Sequence, residues 1–351
     1  VITALVLGAV IILLTGGDPV LAYRGLWEGA FGSPRAISDT LVTTNPYILG
    51  GLAVAVAFKA GLFNIGGEGQ ILMGALTSVY VGYAVTWIPG PLHLLAAMLA
   101  GILGGAIWGF IPGFLRARTG AHEVIVTIML NYVAIQITSF LLSGPMKDPN
   151  PAIAVAQTPK ILPSAHLPLI VTGFRVHWGV PLAVLTAVGC WWLINKTTIG
   201  FQIRTVGSNA YAARYAGIDV ARTIILTMTL SGALAGLAGA IEVLGVNYYH
   251  TPGFSTGYGF NSIAVALLGR GDPLGVIPSA LLFGALANGA TRMQFLSQIP
   301  IDIIGLIQGL ILIFVSAPTL IRWLYHLRAR PAADDPAAQT TFSTGWGRAE
   351  P

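Results

Sequence analysis

The sequence predicts an all-α fold, a polytopic bundle of transmembrane helices, on three observations. Hydrophobic residues make up 55% of the chain and charged residues only 9%, where soluble domains carry about 25%. Apolar runs recur along most of its 351 residues, separated by polar breaks. Two of those breaks are rich in glycine and hold groups that hydrocarbon penalises, which is tolerable at membrane depth only inside protein or along a wet path.

In chain order, about ten membrane segments are expected, within a range of about eight to eleven. The first, near Val1–Gly16, is shorter than the roughly 20 residues that span a bilayer, so the sequence is expected to begin inside it, after a cytoplasmic lead. Thr15-Gly-Gly-Asp lacks the small-x-small pattern of a cleavage site. A connection over Gly17–Asn45 follows. Segments near Pro46–Ala60 and Gln70–Trp87 flank the first break, Gly61-Leu-Phe-Asn-Ile-Gly-Gly-Glu-Gly-Gln70.

Segments near Leu92–Phe114 and Val124–Leu142 come next. The second sets Glu123, Thr127, Asn131 and Thr138 within about an 80° arc, a stripe that must face protein or a wet path. The connection over Gly144–Trp178 is rich in proline, which favours extended backbone. It caps the outer mouth, meets an external partner, or simply joins two segments.

After Gly179–Ile194, the long connection over residues 196–222 places Ser208 as an N-cap, an alanine-rich run over Asn209–Ala216, and Gly217 at the C′ position. So short a helix is marginal alone. It lies along the membrane, docks into another protein's groove, or is a solvated, charged connector.

Thr223–Gly245 aligns Thr227, Ser231, Ala235, Ala238 and Glu242 on one face, with Gly232, Gly236 and Gly239 beside them. The Gly232–Gly236 spacing permits close helix approach. Glu242 is expected to reach the interface, and Asn247-Tyr-Tyr-His250 to form an interfacial belt or to stack on a flat ring. Phe260–Gly269, the second break at Leu268-Gly-Arg-Gly-Asp-Pro-Leu-Gly275, Leu274–Thr291 and Ile303–Ser316 complete the set. Residues 1–330 read as one membrane domain, and 331–351, rich in Ala, Pro, Asp and Thr, have the composition of a disordered tail.

With the N-terminus inside, basic residues favour the cytoplasmic side by about two to one, and both termini come out cytoplasmic. The net charge of +5 then reflects cytoplasmic loops and gives no reason to expect nucleic acid. Interrupted helices in two halves of a chain point to a polar pathway between them. Asn64, Glu68, Gln70 and Asn131 are the first candidates to line it, with Asn261 and Asn288 behind them. No G-x-x-x-x-G-K-[ST] loop is present, so the chain should not hydrolyse ATP. A single cysteine, Cys190, excludes an intrachain disulfide, and the six histidines lack metal-ligand spacing. No G-x-S-x-G elbow or other catalytic constellation is found. A self-sufficient secondary transporter with broken helices would look similar.

Five motifs in order carry a resemblance over about Asn45–Ala317: Gly61 to Gln70, Thr119-Gly-Ala-His-Glu-Val-Ile125, Met129-Leu-Asn-Tyr132, Val206-Gly-Ser-Asn209 with Ala212-Ala-Arg-Tyr-Ala-Gly-Ile218, and Gly269-Arg-Gly-Asp-Pro273. The chain resembles permease subunits of bacterial ABC importers, in the simple-sugar and nucleoside branch related to ribose and branched-chain amino acid permeases. Within that branch it looks most like the larger permease of nucleoside importers that work with basic-membrane-protein-type lipoproteins.

The resemblance implies a place in a bacterial cell membrane, a second and shorter sister permease, an external substrate-binding lipoprotein, and cytosolic ATPase subunits that hold the ATP and Mg. No cofactor or metal is implied on this chain. It also implies that the 196–222 connection docks on the ATPase, through Arg204, Gly207, Ser208, Asn209, Ala212, Ala213, Arg214, Gly217 and Asp219. The cargo implied is a nucleoside or a related simple sugar, moved without any covalent step.

Overall fold

A computed structural model describes residues 2–316 apart from 151, 153, 256 and 301; the expected tail at 331–351 lies outside the described residues. The described residues form thirteen α-helices: α1 (Ile2–Leu14), α2 (Pro19–Phe31), α3 (Pro34–Lys59), α4 (Gly67–Ala84), α5 (Gly90–Thr119), α6 (Glu123–Ser143), α7 (Gly179–Lys196), α8 (Thr198–Ser208), α9 (Ala210–Tyr215), α10 (Val220–Glu242), α11 (Tyr258–Leu268), α12 (Pro273–Ser297) and α13 (Asp302–Ser316). The protein is a polytopic helical membrane protein. Six helices are long and apolar enough to cross a bilayer: α3, α5, α6, α7, α12, and α10 with its extension to Asn247. Short apolar helices lie within α1, α11 and α13. The eighteen-residue α4 is not among the six, because Glu68 and Gln70 occupy its first turn.

Residues 17–45, expected as a connection, are mostly helical. Asp18 caps α2 by accepting from the amides of Val20 and Leu21, and Ser33 caps α3 by accepting from Ala36, each with a proline next in line. The charges that made this stretch look like a loop pair with one another and with neighbours. Arg24 meets Glu28 at 2.8 Å, Arg292 meets Glu28 at 3.8 Å, and Arg175 meets Asp39 at 3.8 Å.

Helices α3 and α10 form the centre. Helix α3 is apolar on nearly every side and buried from Asn45 through Ala57, as a helix surrounded by others must be. Helix α10 crosses α5 along a seam of glycines. A Cβ on Gly232 would strike the carbonyl of Gly105, and one on Gly236 that of Gly101. On the α4 side, Gly74 meets Gly236 and Gly239 meets the Ile71 carbonyl. Contacts this close between backbones suit a membrane bundle, where dispersion between helices replaces the hydrophobic drive.

The five residues after α10, Val243–Asn247, form a π-helical turn that ends on Tyr248 at φ 61°. Glu242 is buried here, only 7% exposed, and does not reach an interface as expected. Of Asn247 to His250, the first three are half-buried, the Tyr248 ring stacks on His166 at 4.3 Å and His250 is fully buried. The proline-rich connection is responsible, since it is pinned across this region. Ile161 N donates to Tyr248 O, Leu167 N to Leu244 O, and Leu162 N to Gly82 O, all at 2.9 Å. His93 ties the same connection to α4, with ring nitrogens 2.8 Å from Ser164 Oγ and 3.0 Å from Val81 O.

Candidate functional site

The first break begins where α3 ends. Gly61 takes φ +70°, the amide of Gly61 donates to Phe58 O and that of Leu62 to Ala57 O, closing a Schellman turn. The chain then runs irregularly inwards to Gly66, where α4 starts. Backbone left outside a helix here requires partners, and the buried side chains supply them.

Asn64 Oδ1 accepts from Gly66 N at 3.0 Å and from Gln70 Nε2 at 3.1 Å; Asn64 Nδ2 donates to Gln70 Oε1 at 2.8 Å and to Ser231 Oγ at 2.7 Å. Ser231 passes the link on to the Ala53 carbonyl of α3. Asn131, from α6, accepts from Gly69 N at 2.8 Å and donates to Ile65 O at 2.9 Å. The polar stripe of α6 thus faces protein, with Glu123, Thr127, Asn131 and Thr138 all buried.

Glu68 sits where two helices begin. It lies in the first turn of α4 and its carboxylate also receives the first turn of α11: Gly259 N donates to Oε2 at 2.8 Å, Ser255 Oγ donates to Oε1, and the amides of Gly257 and Phe260 are aimed at it. The helix starts approach so closely that a Cβ on Gly259 would collide with Glu68 N. Two positive helix ends thereby share one buried carboxylate. Ten residues (Asn64, Gly66, Glu68, Gly69, Gln70, Asn131, Ser231, Ser255, Gly259 and Ile65), with the Ala53 carbonyl, make one latch between α3, α4, α6, α10 and α11.

The lower-ranked candidates lie elsewhere. Asn261 hydrogen-bonds the Tyr47 hydroxyl between α11 and α3. Asn288 donates to Gly29 O at 3.0 Å, Ala36 O at 3.2 Å and Thr40 Oγ1 at 2.9 Å, joining α12 to α2 and α3. Sequence reasoning placed Ser231 on one face of α10 without a partner, and it missed Ser255 and Gly259, whose segment carries no motif. The second break is a compact turn. The amides of Arg270 and Gly271 close a Schellman turn on Leu267 O and Ala266 O, and Asp272 caps α12 by accepting from Gly275 N at 3.0 Å.

The connection over 196–222 holds two helices. Asn209, rather than the expected Ser208, caps α9, its Oδ1 accepting from Tyr211 N at 2.9 Å and Ala212 N at 3.0 Å. Ser208 instead donates back to Arg204 O, inside α8. Gly217 takes φ +79°, with Gly217 N on Arg214 O and Ile218 N on Ala213 O, and Ala213 and Ile218 bury together with Val206. The rest of α9 is exposed, Tyr211 by 78% and Tyr215 by 95%. Helix α8 also rests on the first break, for Gly207 lies so near the Lys59 carbonyl and Gly61 that no Cβ fits.

The family model described as the permease component of the branched-chain amino acid transport system matches residues 36–316. The guanosine ABC transporter permease protein NupP of Bacillus subtilis is 42% identical over 325 residues, covering 92% of this chain and 93% of its own. The nucleoside ABC transporter permease protein NupB of Lactococcus lactis is 37% identical, covering 92% and 90%. The glucose ABC transporter permease protein TsgB13 of Haloferax volcanii is 34% identical, covering 90% and 85%. No solved structure matches the chain.

Proposed function

Because the chain belongs to the family of branched-chain amino acid transport system permease components, and is a permease component rather than an enzyme, we propose that it carries a nucleoside across the cell membrane. The observation behind this reading is the full-length likeness to the guanosine and nucleoside permeases, at higher identity than to the glucose permease. The importer contains this chain, a second and shorter permease, cytosolic ATPase subunits carrying ATP and Mg, and an external lipoprotein that delivers the nucleoside. About ten segments enter the bilayer in this reading, the short α1, α4, α11 and α13 among them. Both termini and the α8–α9 connection face the cytoplasm.

The ATPase grips α9, with Arg204, Ser208, Asn209, Ala212, Arg214 and Asp219 around the contact and Tyr211 and Tyr215 as its exposed aromatic anchors. Ala213 and Gly217 shape the turn that presents them. Closure of the ATPase pair pushes α8, and Gly207 passes the push to Gly61 and the first break. The latch at Asn64, Glu68, Gln70 and Asn131 then parts, and its amide and carboxylate groups become free to hydrogen-bond ribose or base as the nucleoside passes. Asn261 and Asn288 stand further along the path. Contacts of this kind are weak by design, since tight binding would slow release.

Replacing Gly207 by leucine should leave the ATPase bound, because α9 is untouched, yet uncouple it. Uptake is expected to fall at least about fivefold while co-purification of the ATPase persists, as the loss of a coupling of about 1–3 kcal/mol implies. The cargo is tested with the reconstituted complete importer. ATP-dependent uptake of labelled guanosine, blocked by excess unlabelled nucleoside and indifferent to excess glucose, is the expected result. Uptake of glucose with no uptake of guanosine or another nucleoside would move the chain to the sugar branch.

A further inference from the structure

The connection before α7 ends in a hairpin that the transport reading leaves unused. Leu169 and His177 form an antiparallel bridge, Ile170 N donates to Val176 O at 2.9 Å, and Trp178 N donates to Pro168 O at 3.1 Å. The turn spans Val171 to Phe174, closed by Phe174 N on Val171 O at 3.3 Å, with Gly173 at φ +90° as a type II turn requires. Its base is fixed: His177 is fully buried, and Arg175 N donates to Ser38 Oγ of α3 at 3.1 Å. Its tip is bare. Leu169, Ile170 and Val171 are 47%, 43% and 47% exposed, and a Cβ at Gly173 would meet nothing.

Three consecutive exposed aliphatic residues on a well-formed turn need an occupant. The neighbouring helix identifies it. Trp178, Leu185, Val188 and Trp192 are all exposed and recur at spacings of seven, three and four, so they form one stripe down α7, a candidate membrane span. An exposed apolar stripe on a membrane-spanning helix suits lipid, and a tryptophan closes it at either end, as interfacial aromatic residues do. The hairpin's second strand runs directly into Trp178, the residue that caps α7 and ends this stripe. The hairpin's one cation, Arg175, is held 3.8 Å from Asp39, and the amides of Ile170, Phe174 and Trp178 are paired within the hairpin.

We propose that the tip of the 168–178 hairpin inserts into the bilayer surface at the end of the bundle opposite α8 and α9, with Leu169, Ile170 and Val171 among the lipid headgroups and upper acyl chains. It anchors the proline-rich connection, and through it the π-helical turn, to the membrane plane. A protein partner covering the same tip is the alternative.

The test is a single environment-sensitive fluorophore on Val171→Cys in a Cys190→Ser background, with the full chain in phosphatidylcholine and phosphatidylglycerol vesicles. Membrane-surface segments sit about 5–10 Å into the headgroup and acyl boundary. A probe there should emit at shorter wavelength than in water and be quenched by lipids spin-labelled high on the acyl chain. The same fluorophore on Tyr215→Cys, at the far end, should show neither effect. Thr172→Cys, exposed on the same turn, repeats the reading should the first variant fold poorly. Water-like emission without lipid quenching at both tip positions would overturn the proposal and leave the tip to a protein partner.

Discussion

Glu68→Leu is expected to abolish uptake and to reduce the yield of folded protein. The carboxylate receives Ser255 Oγ and Gly259 N, and it lies between the first turns of α4 and α11. Leucine leaves two buried donors without partners, at about 1–3 kcal/mol each, so the loss is about 2–6 kcal/mol. Against a total stability of about 5–15 kcal/mol that is a large share. Glu68→Gln is the informative companion. Its amide keeps one acceptor oxygen for Gly259 N but brings no charge to the two helix ends, so folding should largely survive while uptake falls. Initial uptake rates and thermal unfolding in detergent separate the two effects. Full uptake by the leucine variant at normal yield would show that the junction of α4 and α11 does not depend on this group.

Gly236→Leu is the second large effect, and it acts on the fold. Gly236 lies between Gly101 and Gly105 of α5 on one side and Gly74 of α4 on the other, with backbone in direct contact. Alanine alone would collide with the Gly101 carbonyl, and forcing extra atoms into a packed seam costs about 1–3 kcal/mol or more. Leucine should force α10 off α5 and leave no monodisperse protein in size-exclusion chromatography. Gly189→Leu is the control, because a Cβ at Gly189 on α7 meets nothing within 4 Å. If the two variants elute alike, the seam does not hold α10 in place.

Much of this was legible in the sequence because lipid is a strict solvent. A polar stripe such as Glu123, Thr127, Asn131 and Thr138 has one tolerable orientation, and all four residues are buried. Gly217 was legible as a helix stop because few other residues take φ +79°. The helices at 17–45 were not, since Arg24, Glu28 and Asp39 look like loop residues until Arg292 and Arg175 arrive from distant segments. Asn209 displaced Ser208 as the cap because either residue type fits the role, and only the helix boundary decides. Among the candidate site residues, types and burial were readable, but partners were not. Asn64 finds Ser231 across 167 positions and Glu68 finds Gly259 across 191, separations that no local pattern encodes.

The reading also explains why the polar groups of the break do not stand open. Asn64 and Gln70 bond each other through both amides, and Asn131 is spent on Gly69 N and Ile65 O. A cluster satisfied in this way offers nothing to a solute, and in the proposed importer opening it requires work from elsewhere. Helix α8 touches the same break through Gly207 and Gly61, at the end where α9 presents its bare tyrosines.

In the proposed importer the work comes from a separate ATPase, which reconstituted vesicles can show. Vesicles are prepared with the two permeases alone and with the ATPase subunits added, each loaded with identical ion gradients and supplied with the external binding protein. Accumulation of guanosine only when both the ATPase and ATP are present is the predicted result. Accumulation driven by an ion gradient in vesicles lacking the ATPase would contradict it and make this chain a transporter in its own right.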